Sequence, residues 1–125
     1  MSWRAKILIV DDDELSLEVL QTKLAEHYDI VATNAPENAL KLARETEPNL
    51  ILCDFDMPEM DGAEVSEALA ADEELRHIPL LFLTALASTG DLNRMRKQIA
   101  GRRAISKDVP LAQLLARIEE MLKVE

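Results

Sequence analysis

Five short apolar runs, at Lys6 to Val10, Ile30 to Thr33, Leu50 to Cys53, Leu80 to Leu83 and Ala104 to Ser106, alternate along the chain with longer stretches of helical period. No other feature narrows the fold as much. Runs of this length fit strands covered on both faces, and strands joined by crossover helices are parallel. The first, third and fourth runs are nearly continuous in apolar residues, whereas the second and fifth are weaker and suit the edges of a sheet. Right-handed crossovers then leave a doubly wound α/β sheet as the simplest closure. Between the runs, Leu17, Leu20 and Leu24, and again Leu92, Met95 and Ile99, fall at i, i+3, i+7, marking one buried stripe on each of two helices. The last helix carries Leu111, Leu114, Leu115, Ile118, Met121 and Leu122, with Pro110 where a first helical turn tolerates proline. Pro36 is expected to open a helix and Pro79 to lead into a strand.

The 125 residues with 48% apolar content suffice for one core, so residues 1–125 are expected to form a single domain. No apolar run approaches the ~18 residues of a membrane span, and Met1-Ser2-Trp3-Arg4 opens without the pattern of a secretory signal, which predicts a soluble, cytoplasmic protein. Twenty-four acidic against fourteen basic residues give a formal charge of −10, which repels a phosphate backbone and argues against direct nucleic-acid contact. The single cysteine, Cys53, lies inside an apolar run and reads as a small packing residue. His27 and His77 lack partners at ligand spacing and read as surface residues, while Met57, Met60, Met95 and Met121 read as loop or core packing.

In a doubly wound sheet the strand C-terminal ends form the ligand edge. Asp11 and Asp12 follow the first run, Asp54 ends the third, Thr84 the fourth and Lys107 the fifth. Taken singly, aspartate at a strand end also reads as a turn or helix-cap residue, threonine often caps a helix, and lysine faces solvent. Together, three carboxylates in one crevice repel unless a cation neutralises them. Magnesium prefers a couple of carboxylates plus water and phosphate oxygens, which Asp12 and Asp54 can supply, with Asp11 acting directly or through a water. The run Asp11-Asp12-Asp13-Glu14 lacks the alternating ligands and turn glycine of an EF-hand loop. With the metal and Lys107 holding phosphoryl oxygens, an oxygen of Asp54 can attack phosphorus in line, and the Thr84 hydroxyl can donate to the phosphoryl group once it has arrived.

Ile7-Leu8-Ile9-Val10-Asp11-Asp12, the segment from Leu50 to Asp54 continuing Phe55-Asp56-Met57-Pro58-Glu59-Met60-Asp61-Gly62, Leu83-Thr84-Ala85 and Lys107, in this order and spacing, resemble the response-regulator receiver family over essentially the whole chain. The resemblance implies a flavodoxin-like, five-stranded parallel sheet of order 2-1-3-4-5 with five helices. It implies that a sensor histidine kinase or phosphotransfer protein donates the phosphoryl group to Asp54, that the backbone carbonyl of Asp56 joins the magnesium shell, and that a downstream output domain or protein reads the result. Two positions depart from the family pattern. Asp108 rather than proline follows Lys107, so no cis bond is expected there, and Ala104 stands where the family often carries an aromatic ring.

Two other readings compete. A receiver fold can serve only as a docking module, which a phosphodonor test separates from a working switch. Asp54-Phe55-Asp56 also matches the D-x-D opening of haloacid-dehalogenase-type phosphatases, but that family places it after the first strand and needs room for a substrate pocket.

Overall fold

The structure is a computed structural model that describes residues 4–55, 62–84 and 103–123. Along the chain it runs β1 (Lys6–Val10), α1 (Glu14–Leu24), β2 (Asp29–Thr33), a short 3-10 turn (Pro36–Asn38), α2 (Ala39–Thr46), β3 (Leu50–Asp54), α3 (Gly62–Ala71), β4 (Leu80–Thr84), β5 (Arg103–Ser106) and α4 (Leu111–Leu122). The strands form one parallel sheet in the order β2-β1-β3-β4-β5. β3 and β4 are buried along their whole length, and the less apolar β2 and β5 take the edges, as their composition predicts.

The expectation of five helices is corrected: the described residues hold four α-helices and the 3-10 turn. The stretch 85–102, which carries the spacing of Leu92, Met95 and Ile99, lies outside the described residues. Proline placement follows the sequence with small offsets. Pro36 starts the 3-10 turn that feeds α2, and Pro110, at φ −58°, occupies the cap position immediately before α4. Pro79 precedes β4, where its missing N–H costs nothing and its carbonyl accepts the Ile51 N–H at 3.0 Å.

Because strand side chains alternate in direction, the sheet divides its apolar residues between two helical layers. Ile7, Ile9, Leu50, Leu52, Leu81 and Leu83 pack on one face against Leu17 and Leu24 of α1 and Leu114, Ile118 and Met121 of α4. Leu8, Val10, Ile51, Cys53, Leu80 and Phe82 pack on the other against Ala39 and Ala43 of α2 and Val65 and Leu69 of α3. Each such Leu or Ile contributes about 1.5–3 kcal/mol by leaving water. A buried tyrosine adds a polar tie: the Tyr28 hydroxyl donates to Glu119 Oε1 at 2.6 Å, joining the connection between α1 and β2 to α4. Burial first, then that hydrogen bond and the Glu119 charge, push the phenol above its ordinary range. Among the described residues no helix is long and apolar enough to cross a membrane.

Helix α2 ends on Glu47 in a left-handed conformation, φ 50° and ψ 61°, from which its N–H donates to Ala43 O at 3.0 Å. Glycine adopts this conformation without the Cβ clash. Glu47 is exposed, so Glu47→Gly is expected to raise stability by about 0.5–1 kcal/mol in chemical denaturation. A lower midpoint would show that the Glu47 side chain supports the turn.

Candidate functional site

The alternation that divides the core also assembles the polar site. Asp11 continues the parity of Ile7 and Ile9, Asp54 that of Leu50 and Leu52, and Lys107 that of Ile105, so all three emerge on the α1/α4 side of the sheet's C-terminal edge. β1 and β3 are neighbours, which sets the two aspartates side by side. Lys107 follows β5, two strands from Asp54, about 10 Å at ordinary strand spacing, and three from Asp11, and its long side chain crosses the end of β4 to reach both. Its Nζ lies 3.2 Å from Asp11 Oδ2 and 3.3 Å from Asp54 Oδ2.

Backbone hydrogen bonds carry the sheet's order into the loops beyond the strands. Lys107 N–H donates to Thr84 O at 2.8 Å, Phe55 N–H to Leu83 O at 2.9 Å and Asp11 N–H to Thr33 O at 3.2 Å. The turn after Lys107 is built without the expected family proline: Asp108 N–H donates to the Ser106 hydroxyl at 3.1 Å. No peptide among the described residues is cis, as the Lys107-Asp108 sequence led one to expect.

Most of the site is shielded from solvent. Asp11 is 1% exposed, Asp54 5% and Thr84 0%, while Asp12 and Lys107 are half-buried. One carboxylate oxygen each from Asp11, Asp12 and Asp54 lie within 4.8 Å of one another. Partial burial pushes the Lys107 ammonium down, but the Asp54 and Asp11 carboxylates, through charge and hydrogen bonding, push it up by more, and the net shift is upward. Because its folded pKa is raised, this lysine's contribution to stability is complete below its unfolded value of about 10.4 and is lost only as pH rises beyond that. The lysine therefore stays charged throughout the neutral range, set against three carboxylates. The donor set is all hard oxygen with an excess of negative charge, which fits a hard divalent cation.

The structure thus brings together Asp11, Asp12, Asp54 and Lys107, with Thr84 at the end of the intervening strand on the parity of Phe82. Asp56 lies outside the described residues. His27 and His77 are exposed, and Cys53 is a buried thiol outside any disulfide whose Sγ donates to the Asp54 carbonyl at 3.3 Å, in keeping with a small packing residue.

Two residues near the site carry structural weight that their sequence positions alone did not reveal. One is Asp13, whose N–H donates to Asp11 Oδ1 at 3.0 Å. The other is Gly62, the first residue of α3, whose N–H donates to Phe55 O at 2.9 Å. A Cβ there would stand 2.6 Å from a Phe82 ring carbon, 2.9 Å from Phe55 Cα and 3.0 Å from Asp54 O. The Phe82 ring that confines it is itself held edge to face by the Phe55 ring, 5.3 Å between centroids.

The chain matches the family described as response regulator receiver domain over residues 7–119. It is 40% identical over 118 residues to the polar-differentiation response regulator DivK of Brucella ovis, covering 93% of this chain and 94% of that protein. Among solved structures it is similar to the signal receiver domain of a signal transduction histidine kinase from Syntrophus aciditrophicus, with TM-score 0.81 and 30% identity over 97% of this chain and 95% of that one. A response regulator from Desulfuromonas acetoxidans gives TM-score 0.82 at 27% identity, covering 97% and 98% of the two chains.

Since the added methyl at residue 62 presses on backbone and a packed ring, Gly62→Ala is expected to destabilise the protein by about 1–3 kcal/mol in urea denaturation. Wild-type stability in that variant would show that α3 can shift away from Asp54 without cost.

Proposed function

We propose, for a chain that belongs to the response-regulator receiver family and acts as a phosphorylation-dependent signalling switch, that Asp54 is the phosphoryl acceptor and that Asp11, Asp12 and Asp54 hold magnesium beside it. The observation that carries this reading is the position of Lys107 Nζ, 3.2 Å from Asp11 and 3.3 Å from Asp54, with the Asp12 carboxylate alongside. Magnesium, when bound at these carboxylates, neutralises charge on the phosphoryl oxygens. By resemblance to the family, the backbone carbonyl of Asp56 would join these carboxylates in holding the ion.

The residues of the chain do the rest. An Asp54 carboxylate oxygen forms a bond to phosphorus on the side opposite the donor, and the bond from phosphorus to the donor's imidazole nitrogen breaks as the imidazole departs. Lys107 donates to a phosphoryl oxygen and keeps its charge while doing so, since its pKa is raised. The Thr84 hydroxyl donates to another phosphoryl oxygen after transfer, a contact that exists only in the phosphorylated state and biases the chain toward it. Receiver domains of this family act as phosphotransfer switches rather than as enzymes on a separate substrate.

The donor in this reading is a sensor histidine kinase or a phosphotransfer protein, and an output domain or protein receives the signal. Support for a protein donor comes from α1, which exposes Leu15 (69%) and Val19 (43%) one turn apart. They border a groove of about 270 Å³ whose wall includes Leu83 and Lys107, so a partner seated there lies against the site. Residues 1–125 act as one cytoplasmic domain in this reading, and the net charge of −10 argues against direct nucleic-acid contact.

Incubation with acetyl phosphate and magnesium is expected to add one phosphoryl mass to the protein, and Asp54→Asn is expected to abolish the addition. Uptake by that variant at the wild-type rate would refute the assignment, and no uptake by the wild type would favour a docking module.

A further inference from the structure

We propose that Asp13 is a positioning residue for the acidic site: it anchors the first turn of α1 and, through its own backbone N–H, fixes the carboxylate of Asp11. This deepens the magnesium reading above and rests on it.

Asp13 has extended backbone angles, φ −87° and ψ 109°, and stands at the cap of α1. Its Oδ1 accepts the Leu15 N–H and its Oδ2 accepts the Ser16 hydroxyl, both at 3.1 Å. Its carbonyl accepts the Leu17 N–H at 3.0 Å, the first bond of the helix. Side chain and carbonyl are therefore both held by α1, and the peptide plane carrying the Asp13 N–H has little freedom to turn. That N–H donates to Asp11 Oδ1 at 3.0 Å. With Oδ1 pinned, the orientation of the Asp11 carboxylate is set, and Oδ2 is the oxygen that meets Lys107 at 3.2 Å.

The Asp13 carboxylate is spent on the helix and is not one of the three that converge on the site. Its influence on that site runs through Asp11. Without the cap, the turn at residues 12–14 loses its anchor and the N–H can leave Oδ1, so that Asp11 rotates toward Lys107 and no longer offers the geometry that octahedral magnesium demands. A capped α1 also keeps the exposed Leu15 and Val19 in a fixed place relative to Asp11, so one residue registers the docking face against the site.

The test compares the wild type with Asp13→Asn, which caps as well but lacks the charge, and Asp13→Ala, which lacks both the charge and the cap. Magnesium alone is titrated by calorimetry at a temperature where circular dichroism shows all three folded, and exchange of the residue-13 amide is followed by NMR without metal. Asp13→Asn is expected to bind within about twofold of the wild type and Asp13→Ala roughly tenfold more weakly. The residue-13 amide is expected to be protected in the first two and to exchange freely in Asp13→Ala. Wild-type affinity in Asp13→Ala would overturn the proposal by leaving only a helix cap, and equal loss in both variants would overturn it by making the effect one of charge. If the wild type itself fails to bind magnesium, the metal reading fails, and the amide alone decides: retained protection in Asp13→Ala refutes the positioning, and lost protection upholds it.

Discussion

A single ammonium group set between two buried carboxylates is the contact on which the candidate site depends. Lys107 reaches Asp11 and Asp54 from β5, across the end of β4, and thereby links three strands at the sheet's C-terminal edge. Burial makes this attraction stronger than it would be in water, but it also leaves the balance incomplete, because Asp12 brings a third carboxylate to the same place. Among the described residues the Asp12 side chain makes no hydrogen bond or ion pair. The protein thus folds with an excess of negative charge at the one edge where a doubly wound sheet presents ligands, and a cation held by these carboxylates would relieve it.

The geometry follows from elementary strand periodicity. Moving Asp11 or Asp54 by one position would send its side chain to the α2/α3 face, into the layer of Val10, Cys53 and Phe82. The parallel order makes the arrangement possible, since all five strands end at the same edge. Firm packing on both faces keeps those ends in place, and close approach at Gly62 brings α3 against the Asp54 carbonyl. Stability and site geometry therefore share residues, and core substitutions in β3 or β4 move the site as well as the melting point.

Much of this was legible in the sequence because it depends on local order. Continuous apolar runs gave the central strands, weaker ones the edges, and the polar residues immediately after them the convergent site, so Asp11, Asp12, Asp54, Thr84 and Lys107 could be named before any coordinates. What sequence patterns could not assign is the partner of each hydrogen bond. A cap role was open to Asp11 and Asp12, yet Asp13 takes it, and only backbone angles distinguish neighbours in a run of like residues. Gly62 was visible as a motif letter, but its reason is a ring and a carbonyl brought close by β4 and β3, contacts distant in sequence. The proline absent after Lys107 removed the expectation of a cis bond but not the question of what shapes that turn, where Asp108 N–H donates to the Ser106 hydroxyl. The helix count of five exceeded the four among the described residues, and Asp56 lies outside them.

Repulsion among the three carboxylates, relieved by a cation, is the claim from which the rest descends, and melting Asp12→Ala beside the wild type with and without millimolar magnesium tests it most directly. Without metal the variant is expected to melt higher, by a few degrees for about 1 kcal/mol of relieved repulsion. With magnesium the wild type is expected to gain more and the order to reverse. A variant that melts lower than the wild type without metal would contradict the account, because Asp12 would then be holding the fold rather than straining it.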